Sequence, residues 1–441
     1  MPIYEAAPAE AALSADTLKV SDGGGALSVD DNGASLTVDL SGNPNSTTYD
    51  AFGRLRVSEP FTLFAAKQTQ DNLPLLFDDQ EVSGSGTGSS HSAARASTTL
   101  TVGATTAGRR VRQTFRRMNY QPGKSQFIKI TGVLSKSGGG SGVTAGIGYY
   151  DDDNGIFLKD DEGAYKFVLR SSVTGSVVDT EVEQASWNFD SFDGSGPSGV
   201  TLDFTKSHIV FFDLEWLGVG TVRCGFVVDG NIFVAHVFKN ANINAGVYMS
   251  TPNLPVRYEI ENDGTGAASS IETICCEVQS EGGVQPVGVP RYQSTGATVI
   301  DAASSGTTYA LLGIRLKAVQ IDAAVTLARA TVTESASTSV DCEWQIRLNP
   351  TVAGTFTYSD VTNSAVQIAT GAVANTVTGG TIIAGGLLAG GKESVSDIAD
   401  LRSIISLGAA IDGTPQEIIL VVTPFANNAD ARGALEWLEV S

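Results

Sequence analysis

Asp151, Asp152 and Asp153 stand just before Asn154-Gly155, and Asp160, Asp161 and Glu162 come shortly after. Acids at such spacing could supply the oxygen ligands of a calcium loop, which needs glycine at its sixth position for the sharp turn and a bidentate Glu at its twelfth. Counted from Asp151, Asp153 is third and Glu162 twelfth, but Gly155 is fifth and Ile156 sixth. The glycine is misplaced, so these acids read as solvated hairpin turns. Cys224, Cys275, Cys276 and Cys342 show no CxxC spacing and do not compose a zinc site. Cys224 reads as a small buried hydrophobe, and Cys275 and Cys276, if extended, face opposite sides of a sheet. Arg109, Arg110, Arg112, Arg116 and Arg117 are interleaved with Val111, Phe115 and Met118 and are expected to flank a strand and pair with acids. A two-residue Asp229-Gly230 turn would set Arg223 opposite His236. No Ser or Cys nucleophile with a base and an orienting acid assembles around that pair, which is assigned to the sheet surface. No catalytic, cofactor-binding or metal-ligating residue is expected.

Strands must position these side chains. In His208–Phe238, period-two reading puts His208, Val210, Phe212, Leu214 and Trp216 on one face and Ile209, Phe211, Asp213, Glu215 and Leu217 on the other. A Gly218-Val219-Gly220 turn and the Asp229-Gly230 turn then divide the stretch into three antiparallel strands, because a type I′ turn needs positive φ at both central residues. Asn154-Gly155 and Glu162-Gly163 signal further tight hairpins, and Phe127–Leu134 alternates as a strand. Later strands are expected near Tyr309–Leu316, Val319–Ala330, Val340–Leu348 and Ile418–Thr423, with a closing segment at 433–440. One short helix is expected at Ser394–Leu407, where Ile398, Leu401 and Ile405 share a face. The glycine-rich Thr378–Gly386 reads as an interface strand. Trp187 and Trp216 are expected in the core.

The chain has 441 residues, 49 of them glycine and 17% charged, the composition of a sheet-rich, turn-rich protein. Its net charge of −20 argues against a nucleic-acid partner, since phosphate contacts demand a basic surface. No apolar run reaches the roughly 20 residues of a membrane span, and the first residues lack the form of a signal peptide. A soluble protein made in the cytosol, without nucleic-acid or membrane partners, is the expectation.

Residues 1–50 differ from the rest. Leu18-Lys19-Val20, Leu27-Ser28-Val29 and Leu36-Thr37-Val38 recur every nine residues, with glycine at Gly24, Gly33 and Gly42. Short strands of this kind cannot bury a Leu/Val face alone, so they stack in a solenoid, wind with identical chains or dock on a partner. Residues 1–50 therefore read as an assembly arm whose contacts are Leu18, Val20, Leu27, Val29, Leu36 and Val38.

Four ordered blocks carry a resemblance: AFGRLRVSEPFTLFAAKQ (51–68), RRMNYQPGKSQ (116–126), DLEWLGVGTVRCGFVVDG (213–230) and STPNLPVRYEIEN (250–262). Together they resemble a family of tailed-bacteriophage virion proteins described as structural, fibre-like or decoration proteins. GIRLKA (313–318), CEWQIRLNPT (342–351) and ALEWLEV (434–440) look like the C-terminal β-domain that accompanies the first domain in that family. The strand order and the WLGVG block also resemble a concanavalin-like, laminin-G-type jelly roll. The fold expectation is all-β: an extended repeat arm at 1–50, a jelly-roll β-sandwich at 51–290 and a C-terminal β-sandwich domain at 291–441. The resemblance implies a non-enzymatic structural protein on the exterior of the virion, assembled in the host cytoplasm. It further implies a homotrimer whose other partners are virion proteins such as the major capsid or tail and baseplate proteins. An alternative is a tail-attached receptor-binding fibre whose jelly roll binds a host surface glycan; a third, a polysaccharide depolymerase, requires a close carboxylate pair in a groove.

Overall fold

Period-two burial organises the chain around a single strand at its middle, and every neighbouring element can be derived from what that strand must hide. The computed structural model describes residues 18–21, 26–29, 59–135, 140–285, 288–336, 339–391, 393–397 and 406–440. Two units are present, Met1–Glu59 and Pro60–Ser441. In the first, β1 (Leu18–Ser21) and β2 (Ala26–Val29) pair antiparallel with Leu18 opposite Val29 and Val20 opposite Leu27. Two consecutive repeats thus pair with each other as a hairpin, where a solenoid would stack them in parallel. Leu36 and Val38 lie outside the described residues.

The second unit opens with β3 (Pro60–Lys67), β4 (Phe77–Gly84), β5 (Thr87–Ser92), β6 (Ser97–Val102), β7 (Gly108–Thr114), β8 (Ser125–Val133) and β9 (Val143–Tyr150). It continues through β10 (Gly155–Asp161), β11 (Ala164–Ser171), β12 (Val178–Glu183), β13 (His208–Leu214), β14 (Val222–Val228), β15 (Asn231–Phe238), β16 (Val256–Asn262) and β17 (Ser269–Glu281). These make a seven-stranded sheet, β12-β11-β10-β9-β16-β7-β4, and an eight-stranded one, β15-β14-β13-β8-β17-β6-β5 with β3 on β17, all antiparallel. Val210, Phe212 and Leu214 of β13 are fully buried between the sheets with Phe167, Phe192 and Phe226, while Trp187 closes over Phe167 at 4.6 Å between ring centres. Both Trp187 and the partly buried Trp216 belong to this core. Each such aromatic contributes about 1.5–3 kcal/mol by leaving water.

The turns explain the register. Asp229 and Gly230 both take positive φ, as do Glu162 and Gly163, giving the two-residue hairpins β14–β15 and β10–β11. Between β9 and β10 the loop is instead four residues, Asp151 to Asn154, because the Asp151 carboxylate accepts from the Asp153 and Asn154 amides at 2.9 Å each. A bulge between Cys224 and Gly225 corrects another expectation. With Ala235 extra on the partner strand, Cys224 faces His236 and Arg223 faces Val237, so the proposed Arg223–His236 pair does not form.

The remaining strands are β18 (Val289–Ser294), β19 (Ile300–Ala302), β20 (Tyr309–Leu316), β21 (Ala324–Glu334), β22 (Cys342–Leu348), β23 (Thr351–Val352), β24 (Ser359–Asp360) and β25 (Val366–Thr370). They end with β26 (Val377–Thr378), β27 (Thr381–Leu388), β28 (Glu393–Asp397), β29 (Ile418–Pro424) and β30 (Ala429–Val440). A sheet ordered β18-β30-β21-β28, with β19 on β30, packs on a second ordered β24-β25-β20-β29-β22-β27, around a separate core that includes Leu312, Ile346, Leu420 and Trp437. The helix expected at Ser394–Leu407 is corrected at its start: Glu393–Asp397 is a strand, since pairing with Thr333 to Arg329 satisfies the otherwise open edge of β21. Residues 398–405 lie outside the described set. Among the described residues there is a 3₁₀ turn, Gln184–Ser186, and no helix long and apolar enough to cross a membrane. The two cores belong to one unit, joined by Asn253 Nδ2 donating to the Asp322 carbonyl (3.1 Å) and by the Ala409 amide donating to that of Phe115 (3.0 Å).

Replacing Phe212 with Ala should lower stability by about 3–5 kcal/mol, because the hole lies between two packed sheets. Equilibrium urea unfolding checks this, with the exposed Ile232→Ala expected within about 0.5 kcal/mol of wild type.

Candidate functional site

On the seven-stranded sheet, β16 turns Val256, Tyr258 and Ile260 to the core, which leaves Arg257, Glu259 and Glu261 on the outer face. Beside it β9 carries Gly146 and Gly148. A Cβ on Gly146 would stand 2.5 Å from the Tyr150 hydroxyl, so glycine there lets Tyr150 lie across the sheet and stack on Phe157 at 4.1 Å and 19°. The Arg257 guanidinium lies 5.4 Å from the Tyr150 ring centre and that of Arg170 5.0 Å from Phe157.

Carboxylates close this layer. Asp152 accepts from Arg109 at 2.5 Å and Arg257 at 2.6 Å. Burial disfavours its charge, yet the Arg257 charge and the Arg109 hydrogen bond prevail and hold the carboxyl at about 2. Glu259 is gripped by Arg109 through both Nε and Nη2 at 2.8 Å, with Arg257 at 3.4 Å. Asp161 and Glu181 share Lys159 and Lys166, and Arg170 holds Asp179. Four of the five arginines pair with acids as expected, three of them from within β7 rather than beside it: Arg109 as described, Arg110 and Arg112 with Asp79, and Arg117 with Asp151 at 2.9 Å.

The chemistry open to this face is limited by those partners. A hydrolytic pair needs one carboxyl that keeps its proton and another with free lone pairs. Burial, then the neighbouring Glu259 charge, pushes the Glu261 carboxyl up. Glu259, clamped by two guanidinium groups, does not meet the second condition.

On the outer face of the eight-stranded sheet, Lys124, Ser125, Asp213, Glu215, Thr221 and Arg223 line a cleft of about 500 Å³. Asp213 accepts from Ser125 Oγ at 2.5 Å and pairs with Arg223. Burial, then the Asp213 charge, pushes the Glu281 carboxyl up. The apolar Phe127 and Phe211, 5.4 Å apart on this face, are themselves covered, and Gly225 gives Phe211 its space.

The four cysteines are free thiols. Cys224, Cys276 and Cys342 are buried, and burial pushes Cys276 up to about 12 and Cys342 up to about 11. Cys275 is half-buried, its thiol donating to Thr131 Oγ1 at 3.4 Å. Among the described residues no group of three or more His, Cys, Asp or Glu side chains could hold a metal ion. Of the arm residues, backbone pairing brings Leu18, Val20, Leu27 and Val29 together in the β1–β2 hairpin. The outer-face layer was missed by sequence reasoning, although alternate charges in VRYEIEN and alternate glycines in AGIGYY were its signal.

Fold and faces define an all-β protein: a jelly-roll β-sandwich joined to a second β-sandwich, with an N-terminal hairpin unit. No protein-family model and no curated protein matches the sequence. Solved structures that are similar over about half of it include the following three. An endo-1,3-β-glucanase from Streptomyces sioyaensis is 10% identical, covering 52% of this chain and 99% of its own, with a TM-score of 0.33. The CBM2 module of the evolved Dit protein of Lactobacillus casei BL23 phage J-1 is 7% identical, covering 51% and 98%, with a TM-score of 0.32. A legume lectin-like domain from Entamoeba histolytica is 8% identical, covering 49% and 97%, with a TM-score of 0.29.

Because the folded-state carboxyl of Asp152 sits below its ordinary value of 3.8, its contribution is present above that value and is lost as pH falls toward about 2. Asp152→Asn should therefore show a smaller loss of stability between pH 4 and pH 2.5 than wild type, read from urea midpoints at the two pH values.

Proposed function

We propose that this chain is a non-enzymatic structural protein of the exterior of a tailed-phage virion, a homotrimer of decoration or fibre type anchored through its N-terminal arm. The observation that carries the reading is the β1–β2 hairpin, built from the nine-residue repeat in a unit separate from residues 60–441. Among the described residues this sheet has two strands, and two strands alone are marginally stable in water, so further strands would stabilise it. A strand edge offers backbone groups for strand addition by sister chains or by a capsid, tail or baseplate protein. The four sequence blocks that resemble phage virion proteins suggest the class, and the cation-bound carboxylates on the seven-stranded sheet agree with a non-catalytic exterior.

Full-length protein and a form lacking residues 1–50 should both be folded, and the full-length protein alone should cosediment with stripped phage particles. Unchanged cosedimentation after truncation would move the anchor to the β-domains.

The polar cleft at Asp213 and Arg223 favours a second reading, a tail-attached receptor-binding fibre whose jelly roll binds host glycan. Hydroxyl, carboxylate and guanidinium groups around about 500 Å³ suit the hydroxyls of a sugar. On a glycan array this reading expects a signal that Asp213→Asn reduces at least tenfold; a silent array would remove it.

A further inference from the structure

One end of the jelly roll gathers exposed aliphatic side chains from three loops distant in sequence. Val173, Val177 and Val178 come from the β11–β12 turn, Leu217 and Val219 from the β13–β14 loop, and Ile243 and Val247 from the segment after β15. Ile243 is 69% exposed, Val178 52% and Leu217 50%, levels that isolated strands of a sandwich give only to scattered residues. Four of them, Val173, Val178, Ile243 and Val247, share one groove of about 550 Å³, floored by the buried Phe238 and Tyr248. The Tyr248 amide donates to the Gly218 carbonyl at 2.8 Å and the Tyr248 hydroxyl to that of Glu215 at 3.0 Å, which docks the 215–220 loop beside the groove. Asn240 fixes the same arrangement from the other side, its Nδ2 donating to the Gly220 carbonyl at 2.7 Å.

The 215–220 loop and the segment after β15 are therefore tied together by buried groups while their aliphatic tips face outward. Charge then selects the occupant. The chain carries −20 overall, yet the one charged residue lining the groove is Lys239, and Glu215 stands only at the foot of the adjoining loop. Two copies approaching through any acid-rich face repel each other, and this face removes most of that penalty. No aromatic ring is exposed there for a sugar to stack on; Phe238 and Tyr248 lie beneath the aliphatic layer.

We propose that this aliphatic, acid-poor end of the jelly roll is the surface through which copies of the chain associate, the three loops of each copy meeting those of its neighbours around a rotation axis. The proposal rests on the reading of the chain as a self-associating virion protein and assigns that association to a surface outside the arm.

The test uses full-length protein in sedimentation velocity over a range of concentrations, with Val178→Asp/Ile243→Asp as the patch variant. Ile232→Asp, at the opposite tip of the β14–β15 hairpin, is the control. Wild type and control should run at the same multiple of the 45.8 kDa chain, and the patch variant should dissociate with an apparent Kd at least tenfold higher at an unchanged melting temperature. A patch variant that keeps the wild-type mass, or a wild type monomeric at every concentration, overturns the proposal. Glycan-array signal lost only in the patch variant, with its mass unchanged, would also overturn it in favour of a ligand groove. The virion reading fails separately, when the full-length protein does not cosediment with stripped phage particles.

Discussion

Burial of one face of β13 between two sheets is the constraint on which the jelly roll depends. Val210, Phe212 and Leu214 can leave water only if β8 and β14 flank them and a second sheet covers them, and Phe167 with Trp187 provides that cover. Antiparallel pairing throughout lets short turns connect the strands, and the left-handed residues Asp229, Gly230, Glu162 and Gly163 supply those turns. Once the inner faces are apolar, the outer faces must carry the charge. The seven-stranded sheet does so with arginines laid over Tyr150 and Phe157, an arrangement that buries apolar stems beneath guanidinium groups without leaving the cations unpaired.

Much of this was legible because period two and turn chemistry are local. The alternation in His208–Leu214, the Asp229-Gly230 turn and the strand Tyr309–Leu316 follow from adjacent residues alone. The misreadings arise where a distant partner decides. Nothing near Arg223 announces that Ala235 is extra, since a bulge is a relation between two strands. Glu393–Asp397 carries Val395 between Ser394 and Ser396, a strand alternation as good as the helical spacing that extends beyond it, and the open edge of β21 settles the matter. Asn154-Gly155 has turn chemistry, yet the Asp151 carboxylate captures two amides first and lengthens the loop.

The candidate site was less legible for a related reason. Arg109, Asp152 and the β16 residues Arg257 and Glu259 lie on three separate segments, and only the pairing of β16 with both β7 and β9 makes them neighbours. Sequence reasoning could pair the arginines with acids in general but could not say which acids would be neutralised. That distinction governs function, because a carboxylate held by two guanidinium groups serves as structure. Glu259 is so held, while Glu261, two residues on along the same strand, has its carboxyl pushed up by burial and by the Glu259 charge.

Electrostatics also bears on how copies of so acidic a chain could meet. Long-range repulsion between two chains of −20 is screened within about 10 Å at moderate salt, so what counts is the charge at the contact itself. A sheet face laced with ion pairs is locally neutral but strongly hydrated, and covering it strips water from every member of the lattice. The aliphatic end at Val178, Leu217 and Ile243 carries less of both costs, with Lys239 the one charged residue lining its groove. Its loops are anchored by Asn240 and Tyr248 rather than by one another's tips, so little order has to be imposed when the tips are covered. An interface there would strengthen with salt, as apolar contacts do, whereas one built on the charged sheet faces would weaken.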